Sequence, residues 1–436
     1  MIRALLVSYA FPPVGGAGVG RVLKFQKYLP DHGVDVSVLT VANPSVPVTD
    51  ESLERDVRPE TEVIRARTFE PGYAVKKAAW TERGGAAPRR QGRSIARRMI
   101  GGAVAVGKQA LVPDPQLLWQ PAAQAALARL LASRQAPDVV FISGPPFSQF
   151  LLAPLARLRP RTRVVLDYRD EWITYRTTYE MMGRLGAIVG GPMERTLLRT
   201  AHAVTTATDA FRDNLLESFP FLDPDRVITI PNGYDPDDFP AQLPSPGGDR
   251  FVITYAGTIF KLTSARGLLG AVRRLHERDP DLARLLSLRF IGRIVDTEAD
   301  AFEGTEELGV ERLPYMAKEA VTEQLARSHM TLCLLDDVPG NERIYPGKVF
   351  ELMYLGRPCL TLTPPGALSD LATRHNLGRV LRPRDEAAIA VHLATALRAF
   401  RANTYDPTSA ATDIGQFHRS HQAATLGTLF RSLVCS

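Results

Sequence analysis

Cysteine is scarce: three copies in 436 residues, at 333, 359 and 435, are too few and too scattered for a disulfide framework. Cys333 and Cys359 lie in apolar runs, where cysteine behaves as a small hydrophobe, and a reducing cytoplasm is the compartment that fits. The eight histidines are dispersed, and no Cys or His cluster has metal-ligand spacing, so no metal site is expected. No apolar run approaches the roughly 18 residues that a bilayer span requires. The opening MIRALLVSYAFPP superficially resembles a leader. Its apolar stretch is only strand-length and runs into a glycine loop without a small-residue cleavage site, so it is read as a first strand. Acidic residues are in deficit, 47 against 53 Lys and Arg, and the net charge of +6 favours an acidic partner such as nucleic acid, anionic lipid or a phosphorylated substrate.

That excess is local. Lys76, Lys77, Arg83, Arg89, Arg90, Arg93, Arg97, Arg98 and Lys108 fall in one stretch with Glu82 as its only acid. Outside it, continuous Val/Ile-rich runs alternate with amphipathic segments: RALLVSY, VDVSVLT, PDVVFIS, TRVVLDY, HAVTTAT and RVITI in the first half, then RFVITYAGT, LSLRFIG, MTLCLLD and RPCLTLT. Such runs read as parallel sheets covered on both faces, an α/β class with two Rossmann-like domains. The expected division is a first domain over 1–235, a linker over the Pro/Gly/Asp-rich 236–250, and a second domain over 251–410. A terminal helix in 411–436, with Phe417, Leu426, Leu429 and Phe430 as its apolar stripe, should pack back toward the first domain.

Doubly wound sheets bind ligands in loops at the C-terminal ends of strands. Six such loops stand out. GGAGVGR (15–21) lets backbone N–H groups approach an anion at a helix start, with Gly16 central, or is a packing turn. No acidic residue closes the next strand, so it is not a dinucleotide fingerprint. SGPPFS places Ser143 beside a candidate substrate path, or forms a rigid turn. DYRDEW offers Arg169 and Asp170 to orient an acceptor hydroxyl or act as a base, or is an ion-paired turn. IPNGYD is a turn whose D-x-D pattern is better read as acidic punctuation than as a metal site. YAGT carries Gly257 and Thr258, with Lys261 and Arg266 following as candidate diphosphate cations. In YPGKVFELMYLGRPCL, Pro346-Gly347 should open a helix with Lys348 in its first turn near phosphate. Glu351 at the next turn suits two vicinal ribose hydroxyls, though glutamate also favours any first turn.

With these loops in order, the chain resembles the GT-B glycosyltransferases of family 4 from about Leu5 to about Asp370. IPNGYD followed by KVFELMYLGRP is the specific part, and FPPVGGAGVGR, VPDPQLLW, SGPPFS, DYRDEW and YAGT support it. The resemblance implies two Rossmann-like domains facing across a cleft. It also implies a retaining, metal-independent transferase that uses a nucleoside-diphosphate sugar, UDP-linked by preference, and no other cofactor. By that pattern Glu351 binds the ribose, and Lys261 or Arg266 stabilises the leaving diphosphate. Gly347, Lys348, Val349, Gly257 and Thr258 hold phosphate and sugar, and Gly16 approaches the donor; from the loops themselves, Ser143, Arg169 and Asp170 are the candidates to face the acceptor. Asp170 is also a candidate catalytic group. The chain departs from the pattern in three places. Arg343 stands eight positions before Glu351 where the family often has a first glutamate, Thr258 stands in the place of an arginine, and neither SGPPFS nor DYRDEW contains a histidine.

The basic stretch 76–108 has apolar residues among its arginines, as in helices that lie on anionic membranes. It makes a peripheral place on the cytoplasmic membrane face and a lipid-linked or other glycan acceptor the expectation. A solvated loop or a clamp for a soluble phosphorylated acceptor are the alternatives. Two other functions compete: a nucleotide-sugar epimerase on the same scaffold, and a non-catalytic membrane- or nucleic-acid-binding protein. Nucleic acid is not expected as a partner, because stacking aromatics do not interleave the basic residues.

Overall fold

A computed structural model describes residues 1–16, 18–46, 48–73, 111–174, 183–409 and 411–435. The basic stretch 76–108 lies outside the described residues. The chain divides into two compact units, Met1–Pro231 with Gln422–Ser436, and Asn232–His421. The residues expected to link two domains, 236–250, therefore belong to the second unit.

The first unit holds a seven-stranded sheet in the order β3-β2-β1-β4-β5-β6-β7. Its strands are β1 (Ile2–Val7), β2 (Val34–Val41), β3 (Glu62–Ala66), β4 (Val139–Gly144), β5 (Arg163–Tyr168), β6 (Ala203–Thr206) and β7 (Val227–Thr229), all paired in parallel. Successive side chains of a strand point to opposite faces, and both faces here are apolar. Leu5, Val7, Val140 and Ile142 pack with Trp119, Leu127 and Phe150. Ala4, Leu6, Val139 and Phe141 pack with Phe25, Leu29 and the terminal helix. That helix spans Arg419–Cys435 and contributes Ala423, Leu426, Leu429, Phe430 and Leu433 to this core. Phe417, expected on the same stripe, instead sits in a separate turn, Ile414–Phe417, and packs against Phe350 of the second unit at 4.8 Å. The non-helical dihedrals of His418 break the helical period between them.

The second unit has a six-stranded parallel sheet in the order β10-β9-β8-β11-β12-β13. These strands are β8 (Phe251–Ala256), β9 (Leu286–Ile291), β10 (Val310–Leu313), β11 (Met330–Leu334), β12 (Cys359–Leu362) and β13 (Gly378–Leu381). Ile253, Leu288, Leu332 and Leu360 face one core, while Ala256, Ile291, Cys333 and Cys359 face the other. In each sheet the strand order reverses beside its first strand, at β1/β4 and at β8/β11, and the crevice at the C-terminal ends there is where ligands bind in such folds. Among the described residues no helix is long and apolar enough to cross a membrane.

Candidate functional site

In the second unit, the loop after β11 returns to β8 through Lys348. The helix expected to open at Pro346-Gly347 starts at Val349 and runs to Leu355, so Lys348 is its N-cap and not a first-turn residue. Pro346 and Gly347 precede it as a turn, closed by the Val349 N–H donating to the Pro346 carbonyl at 2.9 Å. The Lys348 Nζ donates to the Ala256 carbonyl at the end of β8, 2.8 Å away. A backbone carbonyl thus holds the ammonium at the switch point. Burial lowers its pKa, as does the neighbouring Lys318, while Glu351 works the other way.

Glu351 is the third residue of this short helix, where a carboxylate is electrostatically favoured. Its Oε1 stands 3.1 Å from Lys318 Nζ, and the same ammonium lies 2.5 Å from Asp238 Oδ2. Burial alone would lower the Lys318 pKa, but the Glu351 and Asp238 carboxylates outweigh it and hold it above its ordinary value. Lys348, Glu351, Lys318 and Asp238 therefore form one patch of alternating charge.

Gly257, with φ 159°, leaves β8 beside Gly292, whose φ is 124°. A Cβ at Gly292 would lie 2.5 Å from the Gly257 carbonyl oxygen, so the approach of these two loops requires glycine. Thr258 is exposed and serves the turn through its carbonyl, which accepts from Thr263 Oγ1 at 2.6 Å and Tyr255 Oη at 3.1 Å. Lys261 is exposed at the start of the next turn. Arg266, offered with it as a diphosphate cation, is committed to Asp300 by bonds of 2.9 and 2.5 Å, with Glu298 at 3.5 Å. Those carboxylates occupy its guanidinium. Arg343 pairs with Glu342 at 2.7 Å, and Glu342 also accepts the Gly340 N–H of its own turn at 2.8 Å. IPNGYD comes to the same helix. Tyr234 stacks on Tyr354 at 4.5 Å, and the Asn232 amide nitrogen lies 3.8 Å from where a Gly347 Cβ would stand. The D-x-D acids are turn groups: Asp235 accepts the Asp237 N–H at 3.0 Å, and Asp238 faces Lys318.

In the first unit the expected acceptor loops also meet, but most of their polar groups are used internally. Asp167, fully buried, accepts from Arg21 Nε and Nη2 at 2.9 and 2.7 Å, from Ser143 Oγ at 2.6 Å and from Thr205 Oγ1 at 2.7 Å. Arg21 Nη1 donates onward to the Ile230 carbonyl at 2.8 Å. The Ser143 hydroxyl, expected beside the acceptor, is buried and donated to Asp167. Ser148 is likewise buried and bonded to Asp114 of VPDPQLLW at 2.6 Å. Trp172 stacks on Phe147 at 5.0 Å in the core, and Glu171 is buried and accepts from Asn214 at 2.8 Å. Arg169 and Asp170 alone among the charges of DYRDEW retain solvent contact. Arg169 binds the Gly18 carbonyl of the glycine loop and the backbone of Gly144, joining three of the loops. Desolvation lowers the Arg169 pKa and raises that of Asp170, against the pull of their mutual attraction. Gly16, with φ 100°, sits in the left-handed region that its residue type permits, on the open side of that loop.

Lys318 was not singled out from the sequence. It lies on a helix with an ordinary Lys-Glu start, and its partners are far off in the chain. Glu194 was missed for the same reason. It is buried on the helix Gly183–Leu198, its Oε1 has no hydrogen-bond partner among the described residues, and burial pushes its pKa up to about 8.

Two parallel sheets of this order, each with charged loops at its switch point, define the GT-B class of two Rossmann-like units. The family model for the glycosyl transferase 4-like domain matches residues 15–233, half of the chain, and the chain belongs to that family. It is 32% identical over 111 residues to the alpha-maltose-1-phosphate synthase of Mycolicibacterium smegmatis, covering 23% of this chain and 28% of that protein. It is 26% identical over 209 residues to the D-inositol 3-phosphate glycosyltransferase of Stackebrandtia nassauensis, covering 44% and 45%. The matches thus span less than half of either relative's length. Among solved structures, Anabaena HepE in complex with UDP and glucose superposes with a TM-score of 0.60 at 13% identity, over 99% of this chain and 100% of that one. At that identity the likeness shows the fold.

Proposed function

We propose that this protein transfers a sugar from a nucleoside-diphosphate sugar, UDP-linked by preference, to a hydroxyl acceptor, with retention of configuration and without a divalent metal. One observation carries the donor half. The Lys348 ammonium is fixed to the last carbonyl of β8, and Glu351 stands one helical turn away, at the point where the second sheet reverses. An ionised carboxylate accepts two vicinal hydroxyls readily, which suits Glu351 to the ribose. Gly347, Gly257, Thr258 and Lys261 then surround the diphosphate, whose developing charge on departure the cations stabilise. HepE, of the same fold, is described with UDP and glucose, which favours uridine as the base.

For the acceptor, Asp170 and Arg169 are the charged groups of DYRDEW that keep solvent contact. Asp170 is the exposed carboxylate of that loop, and a carboxylate so placed can take the proton of an attacking hydroxyl. Both curated relatives carry a phosphorylated small molecule in their names, which keeps a soluble phosphorylated acceptor beside a lipid-linked or glycan one. The test is a panel of nucleotide sugars with lipid-linked, glycan and sugar-phosphate acceptors, read as release of the nucleoside diphosphate and run with and without EDTA. UDP release that depends on one acceptor class and ignores EDTA supports the reading. Release from no donor, or release abolished by EDTA, contradicts it.

A further inference from the structure

The position of Lys318 is electrostatically unfavourable. It is the first residue of the helix Lys318–Ala326, and the free N–H groups at a helix start repel a cation. One carboxylate would neutralise it, and Asp238, whose side chain is 4% exposed, already does so at 2.5 Å. The ammonium nevertheless spans to a second carboxylate, Glu351, at 3.1 Å. Asp238 follows IPNGY, Lys318 opens the helix after β10 and Glu351 belongs to the helix after β11, so three chain segments converge on one Nζ.

We propose that Lys318, held from behind by Asp238, is a positioning residue that fixes the Glu351 carboxylate for the ribose hydroxyls of the donor. This rests on the ribose role assigned to Glu351 above. A glutamate side chain has three rotatable bonds, and a flexible carboxylate loses binding energy when it must be ordered. An ammonium at one oxygen removes that freedom in advance. A carboxylate has about four acceptor sites, so two hydroxyls still find room.

The experiment compares UDP with 2′-deoxy-UDP by calorimetric titration in the full-length protein. The wild type is expected to prefer UDP by about tenfold or more, the value of a charged hydrogen bond to a hydroxyl. Lys318→Met should collapse that preference to about threefold or less while leaving 2′-deoxy-UDP affinity nearly unchanged. Lys318→Arg should retain most of it. A merely structural role would weaken both nucleotides together and leave the ratio intact. Because Lys318→Met removes a charge partner of the buried Asp238, the neutral pair Lys318→Met/Asp238→Asn carries the same readout if the single variant does not fold. Glu351→Ala separates the two claims. If it abolishes the preference and the Lys318 variants do not, the positioning role is overturned. If Glu351→Ala itself leaves the preference unchanged, the ribose assignment fails first and the positioning role with it.

Discussion

Replacing Asp167 by alanine should destabilise the first unit severely. Asp167 is fully buried and Arg21 is 2% exposed, and their contact of 2.7 Å is the charged centre of a node that also ties Ser143 and Thr205. The deletion leaves a guanidinium in the core with only carbonyl acceptors and strands two hydroxyls. Breaking one side of a buried pair costs about 3–5 kcal/mol, and hydroxyls that lose their acceptor add to it less than additively. For a unit of this size, about 4 kcal/mol corresponds to a fall in Tm of about 8–16 °C. Differential scanning calorimetry at neutral pH reads this directly. Arg21→Met/Asp167→Ala removes the stranded charge and should be less destabilised than the sum of the single variants. A fall below about 2 °C for Asp167→Ala, or strict additivity in the double variant, would refute the assignment of this node as structural.

Three further outcomes follow from the same geometry. Burial raises the Glu194 pKa to about 8, so its contribution is complete below pH 4.5 and is lost as pH rises toward and through 8, on the order of 5 kcal/mol in all. Thermal melts should therefore fall over that range in the wild type and flatten in Glu194→Gln. His202 has the opposite sign. Burial and neighbouring arginines lower its pKa to about 4, so its contribution is present above 6.5 and lost as pH falls toward 4, by about 1–3 kcal/mol after screening; melts of His202→Asn should show a shallower acid limb. Gly292→Ala places a Cβ 2.5 Å from the Gly257 carbonyl oxygen and should displace the loop after β8. UDP affinity should then drop by about tenfold or more, as expected for strain of about 1–3 kcal/mol, measured by titration calorimetry.

The central strands were legible because a strand buried on both faces writes itself as a continuous apolar run. VVFIS and VITYA are fully buried in β4 and β8. The edge strands β3, β10 and β13 were not. EVIRA of β3, VERL of β10 and GRVL of β13 are half exposed and mix charge with apolar residues, so no run betrays them. At the site, Lys348 and Glu351 were legible because proline, glycine and helix-start chemistry act within a few residues. Asp167 was not told apart within DYRDEW, since nothing local distinguishes a carboxylate that meets Arg21 across 146 residues from one that meets solvent. Lys318 was invisible for the same reason, with Asp238 80 residues behind it. Long-range ion pairs are set by topology, and neither spacing nor composition records them.

The central claim is that the second unit binds the nucleotide of a sugar donor through Glu351. Titration of UDP into the wild type and into Glu351→Ala tests it most directly. Loss of the bonds to two ribose hydroxyls should weaken UDP by at least about 1.5–3 kcal/mol, roughly tenfold to 150-fold, with the fold intact by calorimetry. Equal affinity in the two proteins would contradict the account, as would no UDP binding by the wild type.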